Sequence, residues 1–186
     1  GAPEHAVPVK PIGGLVARWE ALERRVRESQ CQLRIAVVGA GAAGVELTLA
    51  IQHALTAGAP DAASFEAPEF HLFDGASTVL PSHNRGTQAR FGRVLAERGV
   101  YVHLGRLVSQ VDTGRIELED GETFDVDEVV WATEAAPQQW PATSGLAIDE
   151  RGFIAVSPTL ESTSHPGVFA AGDIASVLQH PREKAG

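Results

Sequence analysis

The chain has 186 residues, of which 44% are hydrophobic and 21% are charged, and its formal net charge at pH 7 is -9. This composition is typical of a soluble globular protein with one medium domain, or with a small domain and part of a second. The acidic balance argues against nucleic acid or an anionic membrane surface as the main partner, and the single cysteine, Cys31, excludes an intramolecular disulfide.

The first half of the chain alternates between helical and strand patterns. Residues 1–13 are rich in Pro and Gly and predict an extended lead-in, and residues 14–29 predict an amphipathic helix with Leu15, Trp19, Leu22 and Val26 on one stripe. The next elements are a buried strand over 33–38, a helix over 42–57, a loop over 59–68, a strand over 70–73, a helix over 85–98 and a strand over 100–104. This order predicts a parallel sheet with right-handed crossovers.

The pattern changes after residue 104. Three short alternating runs, at 107–111, 115–119 and 122–126, are separated by turn signals that end in Gly and predict an antiparallel β-meander. The remaining predicted elements are a buried strand over 128–133, a loop over 135–145, strands over 153–156 and 168–171, and a helix that begins at residue 174 and stops at Pro181.

Two expectations concern the compartment and the completeness of the chain. No apolar run approaches the length of a transmembrane helix, and the first residues lack the regions of a signal peptide, so we expect a cytoplasmic protein without a transmembrane segment. Methionine is absent even at position 1, and we therefore expect a fragment of a longer chain.

A glycine-rich turn joins the first buried strand to the helix that follows it. Gly39, Gly41 and Gly44 form the pattern G-x-G-x-x-G. In this context the first glycine permits a tight turn, the second lets the backbone approach a pyrophosphate, and the third lets the helix pack close to the strand. The pyrophosphate then lies at the helix N-terminus, where N–H groups and the dipole favour an anion. The residues between the glycines are Ala40, Ala42 and Ala43. The pattern predicts a dinucleotide-binding turn on a Rossmann-like α/β domain, with a parallel sheet and a β-meander.

Two carboxylates are candidates for contacts with the same ligand. Asp74 ends the second predicted strand, where an acidic side chain accepts hydrogen bonds from an adenosine ribose and repels a 2′-phosphate, which favours NAD(H) over NADP(H). It lies farther from the glycines than the usual distance of about 20 residues, and the loop over 59–68 accounts for the excess. The alternative is an Asp-Gly turn without a ligand. Glu46 lies in the first part of the following helix, where the helix dipole favours a negative charge, and this alone is a sufficient structural reason for it. The alternative is that Glu46 contacts the nicotinamide end of the cofactor.

The seven histidines are spread singly along the sequence, and none belongs to a metal-binding or nucleophile motif. We therefore expect no metal site, and the sequence assigns no catalytic residue. Hydride transfer between two cofactors is the chemistry that depends least on an acid or base from the protein.

The order of the motifs resembles that of the flavin-dependent pyridine nucleotide–disulfide oxidoreductases. Within them it is most similar to type II NADH dehydrogenases and to the branch sometimes fused to selenide, water dikinase. Besides the glycine turn, the likeness rests on Leu72-Phe73-Asp74 with Val79-Leu80-Pro81, on Val129 to Pro137, and on Gly167 to Asp173. The stretch with Ala132 and Thr133 looks like the family's Ala-Thr-Gly-x-x-Pro crossover, although Glu134 stands where the family has Gly. The last stretch looks like the second flavin motif and implies that Gly172 and Asp173 contact FAD.

The resemblance also implies a division into domains. The family's FAD fingerprint precedes its NAD fingerprint, and this sequence has only one, which by its place is the NAD fingerprint. The implied parts are a lead-in and helix over 1–30, an NAD(H)-binding domain over 31–135, and a partial return segment of an FAD-binding domain over 136–186. The parent protein would pass hydride from NADH to FAD and on to an unidentified acceptor, and the isolated fragment would be inactive.

Two other functions stay open at this point. One is a non-redox dinucleotide-binding or sensor module, which Glu134 favours. The other is an NAD-dependent dehydrogenase acting directly on a small substrate, which needs an acid or base that is not evident after residue 135. The implied partners are the FAD-binding half of the parent and, in the fused branch, selenide, water dikinase. The apolar runs 153–156 and 168–171 lack most of a sheet, so they predict a homodimer or a mobile tail.

Overall fold

The computed structural model describes residues 7–8, 12–29, 31–57, 66–132, 137 and 139–180. It divides into two units, residues 1–133 and 134–186. Most of the predicted loop over 59–68, the residues Thr133 and Glu134, and the end of the chain from Pro181 lie outside the described residues.

A five-stranded sheet lies at the centre of the first unit. Its strands are β1 (Val7–Pro8), β2 (Arg34–Val38), β3 (Glu69–Asp74), β4 (Tyr101–Leu104) and β8 (Glu128–Trp131). Their order across the sheet is β1-β8-β2-β3-β4, and the described pairings are all parallel, which confirms the predicted parallel sheet. The central strand β2 is buried from its second residue to its last, because both faces of the sheet are covered.

The two faces of β2 belong to two different cores. Ile35 and Val37 lie in a cluster with residues of three helices, whereas Ala36 and Val38 lie in a cluster with the meander. Successive side chains of a strand point to opposite faces, so the sheet is the middle of three layers. The helices are α1 (Ile12–Glu28), α2 (Ala42–Ala57) and α3 (Arg85–Glu97). The bounds of α2 agree with the prediction, and α1 begins two residues earlier than predicted.

The predicted meander is confirmed. Its strands are β5 (Val108–Asp112), β6 (Arg115–Leu118) and β7 (Thr123–Asp125), and both pairings are antiparallel. Alternate residues such as Ile116 and Leu118 are buried against the sheet, while Glu117 between them is exposed.

A buried carboxylate fastens α1 to the sheet. Glu128 at the start of β8 is 7% exposed. It accepts hydrogen bonds from Arg18 Nη2 at 2.8 Å and from Arg25 Nη1 at 2.9 Å. Arg25 also donates to the backbone oxygen of Asp127 at 3.0 Å. The helix that the sequence placed in a lead-in region is therefore part of the first unit.

The second unit is built on a two-stranded parallel sheet of β9 (Ile154–Val156) and β10 (Ala175–Val177), with a short helix α4 (Trp140–Thr143) and a 3₁₀ turn over Gly172–Ile174. Three predictions are wrong here. The predicted loop over 135–145 contains α4. The run 168–171 makes a single bridge through Phe169 to Glu161 instead of a strand. In place of the predicted helix from residue 174, the chain forms the end of the 3₁₀ turn and then β10, because this segment pairs with β9 and buries Ala175 in the core of the unit.

Candidate functional site

The first and third glycines of the turn after β2 are required by the fold itself. Gly39 has a φ of 111°, in the region that side chains disfavour, and its N–H donates to the Phe73 carbonyl at 2.8 Å. A Cβ on Gly44 would lie 1.7 Å from the Gly39 carbonyl oxygen and 3.6 Å from the Ala132 Cβ. The start of α2 can therefore approach the end of β2 only because residue 44 has no side chain.

The second glycine is different. Gly41 is described by the structure but does not have a positive φ. A Cβ built on it would meet no described atom within 4 Å. Neither backbone geometry nor packing requires glycine there. Directly after it, α2 begins, and its first described backbone bond runs from Val45 N–H to the Gly41 carbonyl at 3.1 Å. The N–H groups of Ala42, Ala43 and Gly44 precede this bond, and the first N–H groups of a helix have no acceptor within the helix itself.

The structure brings Asp74 to this turn. Its Oδ2 accepts a hydrogen bond from the Ala40 N–H at 2.5 Å, and its Oδ1 accepts one from the Ala76 N–H at 2.7 Å. The Ala40 carbonyl in turn accepts from the Leu80 N–H at 2.8 Å. Each carboxylate oxygen has two lone pairs, so one on each remains for a hydroxyl group.

The backbone partners of Asp74 were missed by the reasoning from sequence. The N–H of Arg106 donates to the Asp74 carbonyl at 3.0 Å and so ties the strand end to the loop after β4. Because Ala76, Leu80 and Arg106 act through backbone atoms, no side-chain pattern could have identified them.

The structure describes four more of the predicted residues, and of these Ala132 lies close to the turn, with its Cβ 3.6 Å from a Cβ built on Gly44. Glu46 is exposed near the start of α2, and Ala132 is buried, with its N–H donating to the Val38 carbonyl at 2.8 Å. Gly172, with a φ of 75°, and the half-buried Asp173 lie in the 3₁₀ turn of the second unit.

Two histidines form a pair that the sequence did not predict. His71 on β3 and His103 on β4 are far apart in the sequence, but the Nδ1 of His71 lies 3.1 Å from the Nε2 of His103. Burial lowers the pKa of His71, and Glu69 partly offsets this. Burial also lowers the pKa of His103, and the nearby His71 and Arg106 lower it further. The sequence shows that each histidine lies in a predicted strand. It does not show the register of the two strands, and only that register brings the rings together.

Two features are absent from the part of the chain that the structure describes. No cluster of three or more His, Cys, Asp or Glu side chains in that part of the chain could hold a metal ion. None of its helices combines the length and the apolar character needed to cross a bilayer.

The parallel sheet, its covering helices and the glycine turn define a Rossmann-like α/β architecture, and comparison with known proteins identifies the family. The family model described as pyridine nucleotide-disulphide oxidoreductase matches residues 12–184. The chain belongs to this family, which confirms the resemblance at family level.

Individual relatives give the same result. The chain is 29% identical over 159 residues to a type II NADH:quinone oxidoreductase of Haemophilus influenzae, covering 80% of this chain and 34% of the relative. It is 30% identical over 168 residues to an NADH oxidase of Streptococcus pneumoniae, covering 88% of this chain and 34% of the relative. The chain therefore spans about a third of the length of these relatives. The solved structure of NDH2 from Plasmodium falciparum in complex with NADH shares the fold, with a TM-score of 0.72 at 18% identity, covering 93% of this chain and 40% of that one.

Proposed function

We propose that the first unit binds NAD(H) at the glycine turn. The pyrophosphate would lie over Gly41, beside the N–H groups of Ala42, Ala43 and Gly44, with Gly39 and Ala40 forming the floor of the turn. The observation that carries this proposal is Gly41, because glycine at this position serves no purpose within the described protein. An anion that approaches the backbone closely is a physical reason for it.

The ribose contact is proposed for Asp74. Its carboxylate is held by the Ala40 and Ala76 N–H groups, which point it toward the turn and keep an acceptor free on each oxygen. A fixed negative charge there favours NADH, since the 2′-phosphate of NADPH would be repelled. Glu46 is proposed for the nicotinamide side, and Ala132 and Thr133 are proposed as further cofactor contacts.

For the whole protein we propose a flavin-dependent oxidoreductase. Its chemistry would be the transfer of hydride from NADH to FAD and of electrons onward to an acceptor. The names of the relatives, NADH:quinone oxidoreductase and NADH oxidase, support this, as does family membership. Residues 31–135 would be the NAD(H)-binding domain, and residues 136–186 would be the returning part of an FAD-binding domain, with Gly172 and Asp173 toward the flavin.

Calorimetric titration with NADH and NADPH tests the binding proposal. The protein should bind NADH more tightly than NADPH. The Gly41→Ala variant should bind NADH at least about tenfold more weakly, a loss of about 1.4 kcal/mol, because the added methyl occupies the space of the ligand. Its melting temperature should stay unchanged, since the methyl meets no protein atom.

The matched control is Gly92→Ala. Gly92 lies within α3, and a Cβ on it also meets nothing within 4 Å. This variant should keep the NADH affinity. Equal NADH binding by the Gly41→Ala variant and the unmodified protein would remove the main support for the proposal.

A further inference from the structure

The contact between the parallel sheet and the β-meander contains two titratable rings. His71 and His103 have ring planes 12° apart and centroids 5.3 Å apart. With Nδ1 of one ring 3.1 Å from Nε2 of the other, the bond needs a proton on one nitrogen and a lone pair on the other. We propose that this pair is a proton-sensitive latch that holds the meander, strands β5 to β7, against the edge of the sheet.

Ring packing connects the pair directly to the meander. His103 stacks on Phe73 at 4.3 Å with an interplanar angle of 8°. Phe124 of β7 meets both of these rings edge-on, each at 5.3 Å. Phe73 belongs to the core that contains the inward-facing residues of the meander, among them Val111 and Ile116. A change of charge on His103 therefore acts on the surface where the meander rests.

The charged groups around His71 offer little compensation for an added proton. Glu69 Oε2 is 3.7 Å from His71 Nε2, but the same oxygen is 3.4 Å from Arg34 Nε. Tyr101 of the edge strand stacks on the His71 ring at 5.0 Å and brings no negative charge. Within the described residues, His71 Nε2 is buried and has no hydrogen-bond partner.

The surroundings of His103 are similar. Glu122 faces it from the turn between β6 and β7, but the Glu122 carboxylate is bonded to Arg106. Asp120 is likewise 3.6 Å from Arg106. Each carboxylate near the pair is thus shared with an arginine, and Arg106 itself repels a proton on His103.

These features give the latch its direction. At neutral pH the pair is uncharged and its hydrogen bond is intact, because the pKa of each ring is lowered in the folded state. In acid, a proton on both rings places two charges side by side and removes the accepting lone pair. A state with the meander released exposes the rings to water and takes up protons more readily, so acid favours release.

Amide hydrogen exchange tests the latch in the intact protein. Protection of the β5–β7 amides, corrected for intrinsic exchange, should fall at least about twofold between about pH 7.5 and about pH 5.5, because the open state binds protons more tightly than the closed state. Amides of the central strand β2 should change less. His103→Gln keeps hydrogen-bonding groups but cannot be protonated there, so it should reduce the pH effect to the part that His71 contributes.

His53→Gln is the matched control, because His53 is exposed on α2. It should retain the full pH effect. Unchanged protection in acid, or the same loss of protection in the His103→Gln variant, would overturn the proposal.

A second measurement needs no variant. Nitrogen chemical shifts of the imidazole rings, followed by NMR during an acid titration, should place the midpoints of His71 and His103 below the ordinary histidine value of about 6.5. Titration of both rings at that ordinary value would also overturn the proposal.

Discussion

The carboxylate of Asp74 accepts a hydrogen bond from the backbone N–H of Ala40 at 2.5 Å, and so the end of β3 is joined to the glycine turn after β2. The side chain proposed to select the ribose thus also holds the turn. A substitution at Asp74 should therefore change both the stability of the protein and its preference between NADH and NADPH, and the two effects can be measured separately.

Asp74→Asn should lower the free energy of unfolding by about 1–3 kcal/mol. The amide offers one oxygen where the carboxylate offers two, so either the Ala40 or the Ala76 N–H loses its acceptor. The variant should also reduce the preference for NADH over NADPH, because the charge that repels a 2′-phosphate is gone. Urea denaturation and calorimetric titration measure the two effects.

The control for this substitution is Asp125→Asn, since the Asp125 side chain is 74% exposed. Its stability and its NADH preference should match those of the unmodified protein. A stability loss at Asp125 as large as that at Asp74 would contradict the role given to the Ala40 and Ala76 bonds.

Gly44→Ala should destabilise the protein by about 2–3 kcal/mol, because its Cβ would overlap the Gly39 carbonyl oxygen and force the start of α2 away from β2. Gly41→Ala should change the free energy of unfolding by less than about 0.5 kcal/mol, since its Cβ meets nothing. Urea midpoints of the two variants, measured together, check this contrast. Equal destabilisation by both would show that the turn is not arranged as described.

Stability should fall in acid. The pKa values of His71 and His103 are lowered in the folded state, so the unfolded chain binds more protons once the pH drops below the ordinary histidine value of about 6.5. The stability of the neutral pair is fully present above that pH and is lost as the pH falls toward the lowered values. Urea midpoints between about pH 7.5 and about pH 5 should show this slope, and His71→Gln should reduce it. If the urea midpoint depends on pH in the same way in the His71→Gln variant, the acid sensitivity arises from other groups.

Glu128→Gln should cost about 1–3 kcal/mol of unfolding free energy, because one acceptor oxygen is lost and the two guanidinium groups lose their buried counter-charge. The loss of unfolding free energy is modest for a buried carboxylate because Arg18 and Arg25 are each 46% exposed and water screens their charges. Glu117→Gln, on the exposed side of β6, is the control and should be neutral. Urea denaturation of the two variants measures the difference in their stability. Equal urea midpoints for both would contradict the anchoring role of Glu128.

Much of the first unit could be predicted from sequence, because its elements carry long periodic patterns. The helix α2 has apolar residues at helical spacing, and its bounds agree with the prediction. The β-meander was recognisable from alternation between turn signals, because one of its faces is buried and the other is in water.

The second unit was predicted less well because its apolar runs are short. The segment Ala175–Val177 is three residues long, and such a run fits the start of a helix as well as a strand. Its state is decided by the pairing of Ala175 with Ile154, a contact across some twenty residues of chain that no local pattern contains.

Within the candidate site, the positions of Gly39, Gly44 and Asp74 could be predicted, but what holds them could not. The bond between Asp74 and Ala40 depends on the register of β2 against β3, in which Val38 lies beside Phe73. The pair of His71 and His103 depends on the register of β3 against β4 in the same way. Spacing along the chain indicates which residues belong to a site, and register determines which of them touch.

NADH is proposed to bind at the glycine turn of the first unit. An NMR titration of the isotope-labelled protein with NADH, read as chemical-shift changes of assigned backbone amides, tests this binding without any variant. Binding at the turn should give the largest changes at Gly41, at the first turn of α2 and at Ala76. No shift at these amides, or shifts confined to the second unit, would contradict it.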